Sequence, residues 1–335
     1  MSDKPQLDLS IVIVNWNSVA FLRECIASIR QQTHGIAYEI VVVDNASPAG
    51  DAEVIEKELE NIILIKSDRN LGFAGGNNLA FTRASGEYLL FLNPDTKLLG
   101  PAINLMLCHL QGLPDGGIIG CRLLNGDLSL QTSSIQRFPT ILNRVLESEY
   151  LRRRWPGCPL WGISALFADH GAPSKVESIS GACMMMRRQV FEAVGFFTED
   201  YFMYAEDLDL CWKVRRAGFA SYYVPEATVV HHAGKSSRPE WAVIMKVRSE
   251  LRFCRIHRGR AYGVAFRSAL VINAMGRFFI LSVLGVLKNG VERREAVEST
   301  RKWRTILRAL LTDGKLKDQT LMVQKSVLRD GGQER

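Results

Sequence analysis

The stretch Tyr204-Ala205-Glu206-Asp207-Leu208-Asp209-Leu210-Cys211-Trp212 sets three carboxylates between aromatic flanks. A carboxylate there can take a proton from a hydroxyl, provided that apolar neighbours partly desolvate it and keep it a usable base. Tyr201-Phe202-Met203-Tyr204, directly before the acids, supply such neighbours. At the helical period Leu208, Cys211 and Val214 share one face, with Leu210 beside them, so the segment reads as a helix with an acidic first turn that ends at Gly218. Acids in a first turn also suit the helix dipole, and that bland reading covers part of the signal.

The base needs a scaffold, and the first hundred residues read as one. Leu9 to Val14 is a short β-branched run that fits a strand buried on both faces; Phe21, Leu22, Cys25, Ile26 and Ile29 then give a helix face. The unit repeats with a strand from Glu39 to Val43, a polar turn at Asp44-Asn45-Ala46-Ser47-Pro48 and a helix from Ala52 to Leu59. A third strand is expected at Ile62 to Ile65, a helix over 76–84 and a fourth strand at Tyr88 to Leu92. This alternation predicts an α/β fold with a doubly wound, mainly parallel sheet, in which ligands gather at the carboxyl ends of strands.

That rule selects Asn15 and Asn17, then Asp44, Asn45 and Ser47, then Asn93 and Asp95. Each alone is an ordinary turn former or helix cap. Three polar strand ends together suit a ribonucleotide-like ligand and a divalent cation, because hard cations take oxygen ligands and phosphate charge must be neutralised. Arg69-Asn-Leu-Gly-Phe-Ala-Gly-Gly-Asn-Asn78 follows, with glycines that permit close approach. It is neither GxGxxG nor a Walker loop, which removes support from dinucleotide and ATP readings.

The strand-end set in Ile11–Asn17 and Val41–Ser47, with Asn70–Asn78, Asn93-Pro-Asp95, Gly181-Ala-Cys183 and Phe202–Leu210, resembles glycosyltransferase family 2 over roughly Leu9 to His232. It is most similar to the rhamnosyltransferase-like branch. The resemblance implies the GT-A fold, a Rossmann-like sheet flanked by helices, and an inverting transfer from a nucleotide sugar. Dividing the chain accordingly gives a catalytic domain over 1–240, with a nucleotide-sugar half to 127 and an acceptor half from 128, and a basic amphipathic helical extension over 241–335. Asp44 matches the carboxylate that contacts a pyrimidine base, with Asn15, Asn17, Asn45, Ser47, Asn70 and Gly72 beside the nucleotide. Gly75, Asn77, Asn78, Gly181, Ala182 and Trp212 fall on the sugar and acceptor side. Asp95 matches the second acid of the DxD motif that holds Mg²⁺ or Mn²⁺. Its first acid is Asn93 here, a departure that removes one carboxylate from the metal. Asp207, with Glu206 as its rival, matches the general base, and His231, with His232 as its rival, a group near metal or diphosphate.

The resemblance further implies dTDP-rhamnose, or else a UDP-sugar, as donor. The implied acceptor is a polyprenyl-diphosphate-linked saccharide, in bacterial surface polysaccharide (O-antigen) synthesis at the cytoplasmic membrane face. Two other classes fit the residues less well. A sugar-phosphate nucleotidyltransferase would want a glycine-rich basic loop after the first strand, where Asn15-Trp16-Asn17 stands. A non-catalytic scaffold would not need the intact Asp44, Asp95 and Asp207 set.

Between Leu128 and Ser178 the alternation lapses, and the segment reads as irregular and acceptor-facing, with Arg152, Arg153 and Arg154 as phosphate contacts or a solvated run. Ser180–Arg188 reads as a strand whose methionines are core and whose Arg187 and Arg188 face solvent; Ala220 to Val224 reads as a further strand, and Val229-Val230-His231-His232 leads into a polar loop. Lys235 and Arg238 would reach phosphates if their loop closes over the donor.

Charge is uneven in these 335 residues of net charge +7: from Ala242 onward 20 Lys and Arg face 8 Asp and Glu, so this segment carries the positive charge. Residues 261–287 are apolar, but Arg267 and Arg277 leave no run of about 18 uncharged residues, which argues against a spanning helix. A basic helix rich in aliphatics fits an anionic membrane interface, and the alternative is packing on the catalytic domain or on a second subunit in a homo-oligomer. Its cations alternate with aliphatics more than with stacking aromatics, which favours lipid over nucleic acid. Seven cysteines with no metal-binding spacing point to a reducing compartment, and the polar start Met1-Ser-Asp-Lys-Pro-Gln gives no expectation of export. A cytoplasmic enzyme, peripheral on the inner membrane face, is the expectation.

Overall fold

The computed structural model describes residues 7–146, 154–155, 158, 167, 171–232, 239–287 and 289–312. The described residues fall into two compact units, one containing those up to Phe138 and between 147 and 236, the other Pro139–Leu146 with those after 237.

In the first unit β1 (Leu9–Asn15), α1 (Val19–Gln32), β2 (Tyr38–Asp44), α2 (Asp51–Glu58), β3 (Ile63–Lys66), α3 (Gly72–Phe81) and β4 (Tyr88–Leu92) alternate in chain order. Their strands pair in parallel in the order β3-β2-β1-β4, and side chains of β1, β2 and β4 are buried on both faces, as their unbroken apolar runs require. β5 (Thr96–Leu98), α4 (Ala102–Gly112), β6 (Gly116–Leu124), β7 (Ile135–Gln136), then α5 (Ile141–Val145), which belongs to the second unit, and β8 (Ser174–Val176), β9 (Ser178–Ile179) and β10 (Cys183–Arg187) follow. Then come α6 (Arg188–Ala193), α7 (Glu206–Arg216) and β11 (Ala220–His231). β10 is inserted antiparallel between β4 and β6, and β11 runs parallel to β6. The sheet is therefore mixed, mainly parallel and flanked by helices.

Four local expectations are corrected. The helix expected over 76–84 begins at Gly72, so Gly72, Gly75 and Gly76 lie within its first turns. Gly76 is there because a Cβ would come within 2.7 Å of Val14, so only a bare backbone lets α3 lie this close to β1. The strand expected from Ala220 to Val224 runs on to His231, with a register shift between Val224 and Thr228. Arg187 and Arg188 do not face solvent freely: Arg187 donates to the carbonyls of Gly116, Leu110 and Leu113 and to Tyr88 Oη, and Arg188 donates to the Gly86 carbonyl. The segment 128–178 is not uniformly irregular, since β7, α5 and β8 lie in it. Arg152, Arg153, Lys235 and Arg238 lie outside the described residues, and Arg154 sits 5.8 Å from the Trp155 ring. The three methionines are fully buried core, and all seven cysteines are free thiols.

Gly72 has φ +72°, and a Cβ there would sit 2.2 Å from the Phe202 carbonyl oxygen, which accepts from Phe73 N at 3.0 Å. Gly72→Ala is therefore expected to cost about 1–3 kcal/mol, read as a lower urea midpoint at unchanged slope, because strain and clash act together.

The second unit is helical: α8 (Pro239–Arg258), α9 (Arg260–Leu287) and α10 (Gly290–Leu311), with α5 packed against α9. By length and composition alone α9 is long and apolar enough to cross a membrane, so the interruptions at Arg267 and Arg277 do not disqualify it.

Candidate active site

Strand register builds the site. Asn15 is paired with Asp44 at the ends of β1 and β2, which puts the two side chains on one edge. Asn15 Nδ2 donates to Asp44 Oδ1 at 3.0 Å and to Asp51 Oδ2 at 2.8 Å. Asp44 also accepts from Ser47 Oγ at 2.6 Å and Ser47 N at 3.1 Å, a turn closed on its own carboxylate. Asp51 was not singled out by the sequence. Its Oδ2 accepts from Ser18 N and Val19 N, so a buried acid at the start of α2 caps α1 and fixes Asn15 at the same time. Asn17 is exposed at φ +52°, with its amide N donating to Ser47 Oγ at 3.0 Å.

Asn45 and Asn70 tie this edge to α3. Asn45 Nδ2 donates to Asn70 Oδ1 and to the Gly72 carbonyl, both at 3.0 Å, and its Oδ1 accepts from Leu71 N. Asn77 donates to the Phe73 carbonyl, and Asn78 bonds the backbone of Phe197 and the Glu199 carboxylate. Gly75 is packed against Leu71. Both side-chain polar atoms of Asn45 and Asn78, Oδ1 of Asn70 and Nδ2 of Asn77 are thus engaged in holding the loop and the segment around residue 198.

Beyond β4, Asn93 N donates to the Ala182 carbonyl, so the exit of β4 and the entry to β10 are adjacent. β5 pairs with the end of β11, aligning Thr96 with His231. His231 Nε2 consequently lies 3.4 Å from Asp95 Oδ1 and 3.1 Å from Asn93 Nδ2. His231 Nδ1 is held by Gln131 Oε1 at 2.8 Å, and Gln131 Nε2 is anchored on Asn125 Oδ1. A histidine fixed through one nitrogen, with the other aimed at a carboxylate, is the arrangement that outer partners impose on metal-binding imidazoles, so Asp95 and His231 fit a divalent cation. Gln131 is the second residue that sequence reasoning missed; it lies in a segment without periodicity. Among the described residues no group of three or more ligating side chains forms, so further ligands would come from substrate oxygens and water. His232 turns away, its ring 5.5 Å from Phe21.

The acidic helix stands against Gly181. Tyr204 and Ala205 have φ of +68° and +65°, two consecutive left-handed non-glycine residues that set the entry of α7. Asp207 Oδ2 accepts from Gly181 N at 3.1 Å and its Oδ1 from Leu208 N at 2.8 Å, which orients the carboxylate. Of the three first-turn acids only Asp207 keeps solvent access: Glu206 is 6% and Asp209 1% exposed. Asp209 accepts from Thr198 Oγ1 at 2.6 Å and faces Lys213 at 3.5 Å, a structural pairing. Burial, and then the neighbouring Asp207 and Asp209, hold Glu206 well above the usual carboxylate range, and its Oε2 has no hydrogen-bond partner among the described residues. Burial also pushes the Cys211 thiol up to about 12, which removes it as a nucleophile. Trp212 is turned to Phe138, edge to face at 4.9 Å.

Because the folded-state pKa of Glu206 is raised, its stabilising contribution is complete below the unfolded value and is lost as pH rises through the folded one. Glu206→Gln is therefore expected to gain stability over the native chain progressively as pH rises, in urea melts taken across the pH range, with no loss of transfer.

Residues 10–195 match the sequence profile of Glycosyl transferase family 2. The chain belongs to this family. An N-acetylglucosaminyl-diphospho-decaprenol L-rhamnosyltransferase of Mycobacterium tuberculosis is 29% identical to the glycosyltransferase over 242 residues, 68% of this chain and 77% of that one. Rhamnosyltransferase WbbL of Escherichia coli K12 is 28% identical over 174 residues, 50% of this chain and 63% of that one. Among solved structures, the mannosyltransferase PcManGT of Pyrobaculum calidifontis, in complex with GDP-Man and Mn²⁺, superposes with a TM-score of 0.55 at 16% identity. It covers 96% of this chain and 80% of its own. GalNAc-T7 with UDP, GalNAc and Mn²⁺ gives 0.56 at 16% identity, over 76% and 48%. At that identity the two structures speak to the fold, which is GT-A-like.

Proposed function

We propose that this glycosyltransferase moves L-rhamnose from dTDP-rhamnose to a polyprenyl-diphosphate-linked saccharide, with inversion, during bacterial surface polysaccharide synthesis at the inner face of the cell membrane. The observation that carries the acceptor and the sugar is the 29% identity, over most of both chains, to an enzyme named for rhamnosyl transfer to N-acetylglucosaminyl-diphospho-decaprenol. The geometry supports the chemistry: Asp44 at the nucleotide edge, the Asp95 and His231 pair, and an oriented, solvent-reaching Asp207.

Asp207 takes the proton of the acceptor hydroxyl. The oxygen attacks the anomeric carbon from the face opposite the diphosphate, the bond to the phosphate oxygen breaks with its electron pair, and the configuration inverts. The transition state has the oxocarbenium character familiar from glycoside hydrolysis. A divalent cation, Mg²⁺ or Mn²⁺, would be held by Asp95 and His231 and would supply positive charge to the diphosphate oxygens. Gln131 keeps the His231 ring in place, and Gly181 leaves room beside Asp207, where a Cβ would lie 3.5 Å from that of the acid.

The test is a thermal-shift series with dTDP, UDP, GDP and CDP, each with Mn²⁺ and with EDTA, since a ligand bound only by the folded state raises its stability. A metal-dependent shift with dTDP is expected. A shift with UDP alone would move the donor to another sugar, and no shift with any nucleotide would overturn the reading.

A further inference from the structure

The helical unit carries an apolar surface that nothing in the catalytic chemistry uses. On α9, Val264, Ile272, Met275, Phe279, Val283 and Val286 recur at helical spacing along one side and are between 43% and 81% exposed. The opposite side, with Gly263, Phe266, Ala274 and Gly285, is buried. The two arginines that interrupt the apolar sequence both belong to that inner side. Arg267 Nε donates to the Leu310 carbonyl at 2.8 Å, and Arg277 donates to the Val145 carbonyl and lies 4.9 Å from the Trp303 ring. The outer side of α9 is therefore free of charge.

The neighbouring helix decides what covers it. α10 runs antiparallel along α9: Gly285 meets Ala296 and Val297, Ala274 clusters with Ile306 and Leu310, and Arg267 reaches Leu310. Arg293, Arg294, Arg301, Lys302, Arg304 and Arg308 are exposed along α10 and so accompany α9 over much of its length. Were α9 to span a bilayer, Arg301, Lys302 and Arg304 would be carried to the depth of its middle, where a charge is costly. With α9 lying flat, its apolar side enters the acyl boundary while these cations stay at headgroup level. Anionic headgroups complement them.

We propose that the outer face of α9 is a membrane-insertion surface that docks in the plane of an anionic leaflet. This rests on the membrane-facing reading above and adds which face enters and in what orientation. The experiment uses the full chain with Cys108 and Cys158, the two thiols that are not buried, replaced by Ser and a single label at Val264→Cys, Ile272→Cys, Phe279→Cys or Val286→Cys. Vesicles are phosphatidylcholine with or without phosphatidylglycerol and contain no acceptor lipid, and label depth is read by lipid-borne quenchers.

Binding that requires phosphatidylglycerol and weakens with salt is expected, with all four labels at one shallow depth, about 5–10 Å below the headgroups. The double variant Ile272→Asp with Phe279→Asp is expected to bind vesicles about tenfold more weakly or worse, with an unchanged nucleotide-induced thermal shift. A depth profile deepest at Ile272 and Phe279 would mean a spanning helix and overturn the proposal. Self-association in solution without vesicle binding would assign the face to a second copy and overturn it too. Transfer to a short-chain, water-soluble acceptor tests the enzymatic reading apart from the membrane, so failure of one is distinguishable from failure of the other.

Discussion

Asp207→Asn is expected to lower the transfer rate by about 10²–10⁴-fold, the contribution typical of a positioned general base. The amide is isosteric and keeps one oxygen to accept from Gly181 N, giving up only the local bond from Leu208 N, so the turn before β10 stays in place. Donor binding, read as the nucleotide-induced thermal shift, is expected to be unchanged. A variant that kept native turnover would move the base elsewhere. The natural rival is Glu206, a carboxylate one methylene longer in a different environment. It is nearly sealed from solvent, and burial with the neighbouring acids holds it well above the usual carboxylate range, so it has little access to a hydroxyl and is the poorer base. Loss of transfer in Glu206→Gln with native turnover in Asp207→Asn would reverse the assignment.

Asp95→Ala is the second large effect. It leaves His231 facing Asn93 alone and removes the one carboxylate that the Asn93-Pro-Asp95 motif retains. With no second acid to compensate, donor affinity is expected to fall by about 10–100-fold, and the difference between Mn²⁺ and EDTA in the nucleotide shift is expected to vanish. Titration of dTDP by calorimetry with and without the metal checks both. Unchanged metal dependence would move the cation away from Asp95.

Much of the sheet edge that carries the candidate site was legible in the residues. Strands buried on both faces cannot afford polar side chains, so Leu9–Asn15 and Tyr38–Asp44 read as apolar runs, and the polar groups just past them mark the ligand edge. The acidic first turn of α7 was legible for the same kind of reason, since its apolar positions keep the helical period. What escaped was set by tertiary contact. The first turn of α3, from Gly72 to Gly75, reads as a loop because glycine is a poor helix former, and only the approach of α3 to Val14 and to Phe202 explains a helix starting there. Arg187 looks solvent-facing by type but is satisfied by carbonyls from residues 70 or more positions away in the chain. Asp51 and Gln131 act as solitary polar residues, and their importance appears only through Asn15, α1 and His231.

The path of the chain also bears on how such an enzyme can be rearranged. Pro139–Leu146 leaves the sheet-containing unit to join the helices and then returns, and Arg144 there pairs at 2.7 Å with Glu250 of α8, both side chains nearly buried. Ending the chain near residue 237 would strand that excursion and strip Glu250 from a buried guanidinium, a loss of the kind that costs about 3–5 kcal/mol. The helical unit is therefore not a cassette to be exchanged at one junction. Grafting it onto another transferase, or replacing it with a foreign anchor, requires the internal segment to travel with it.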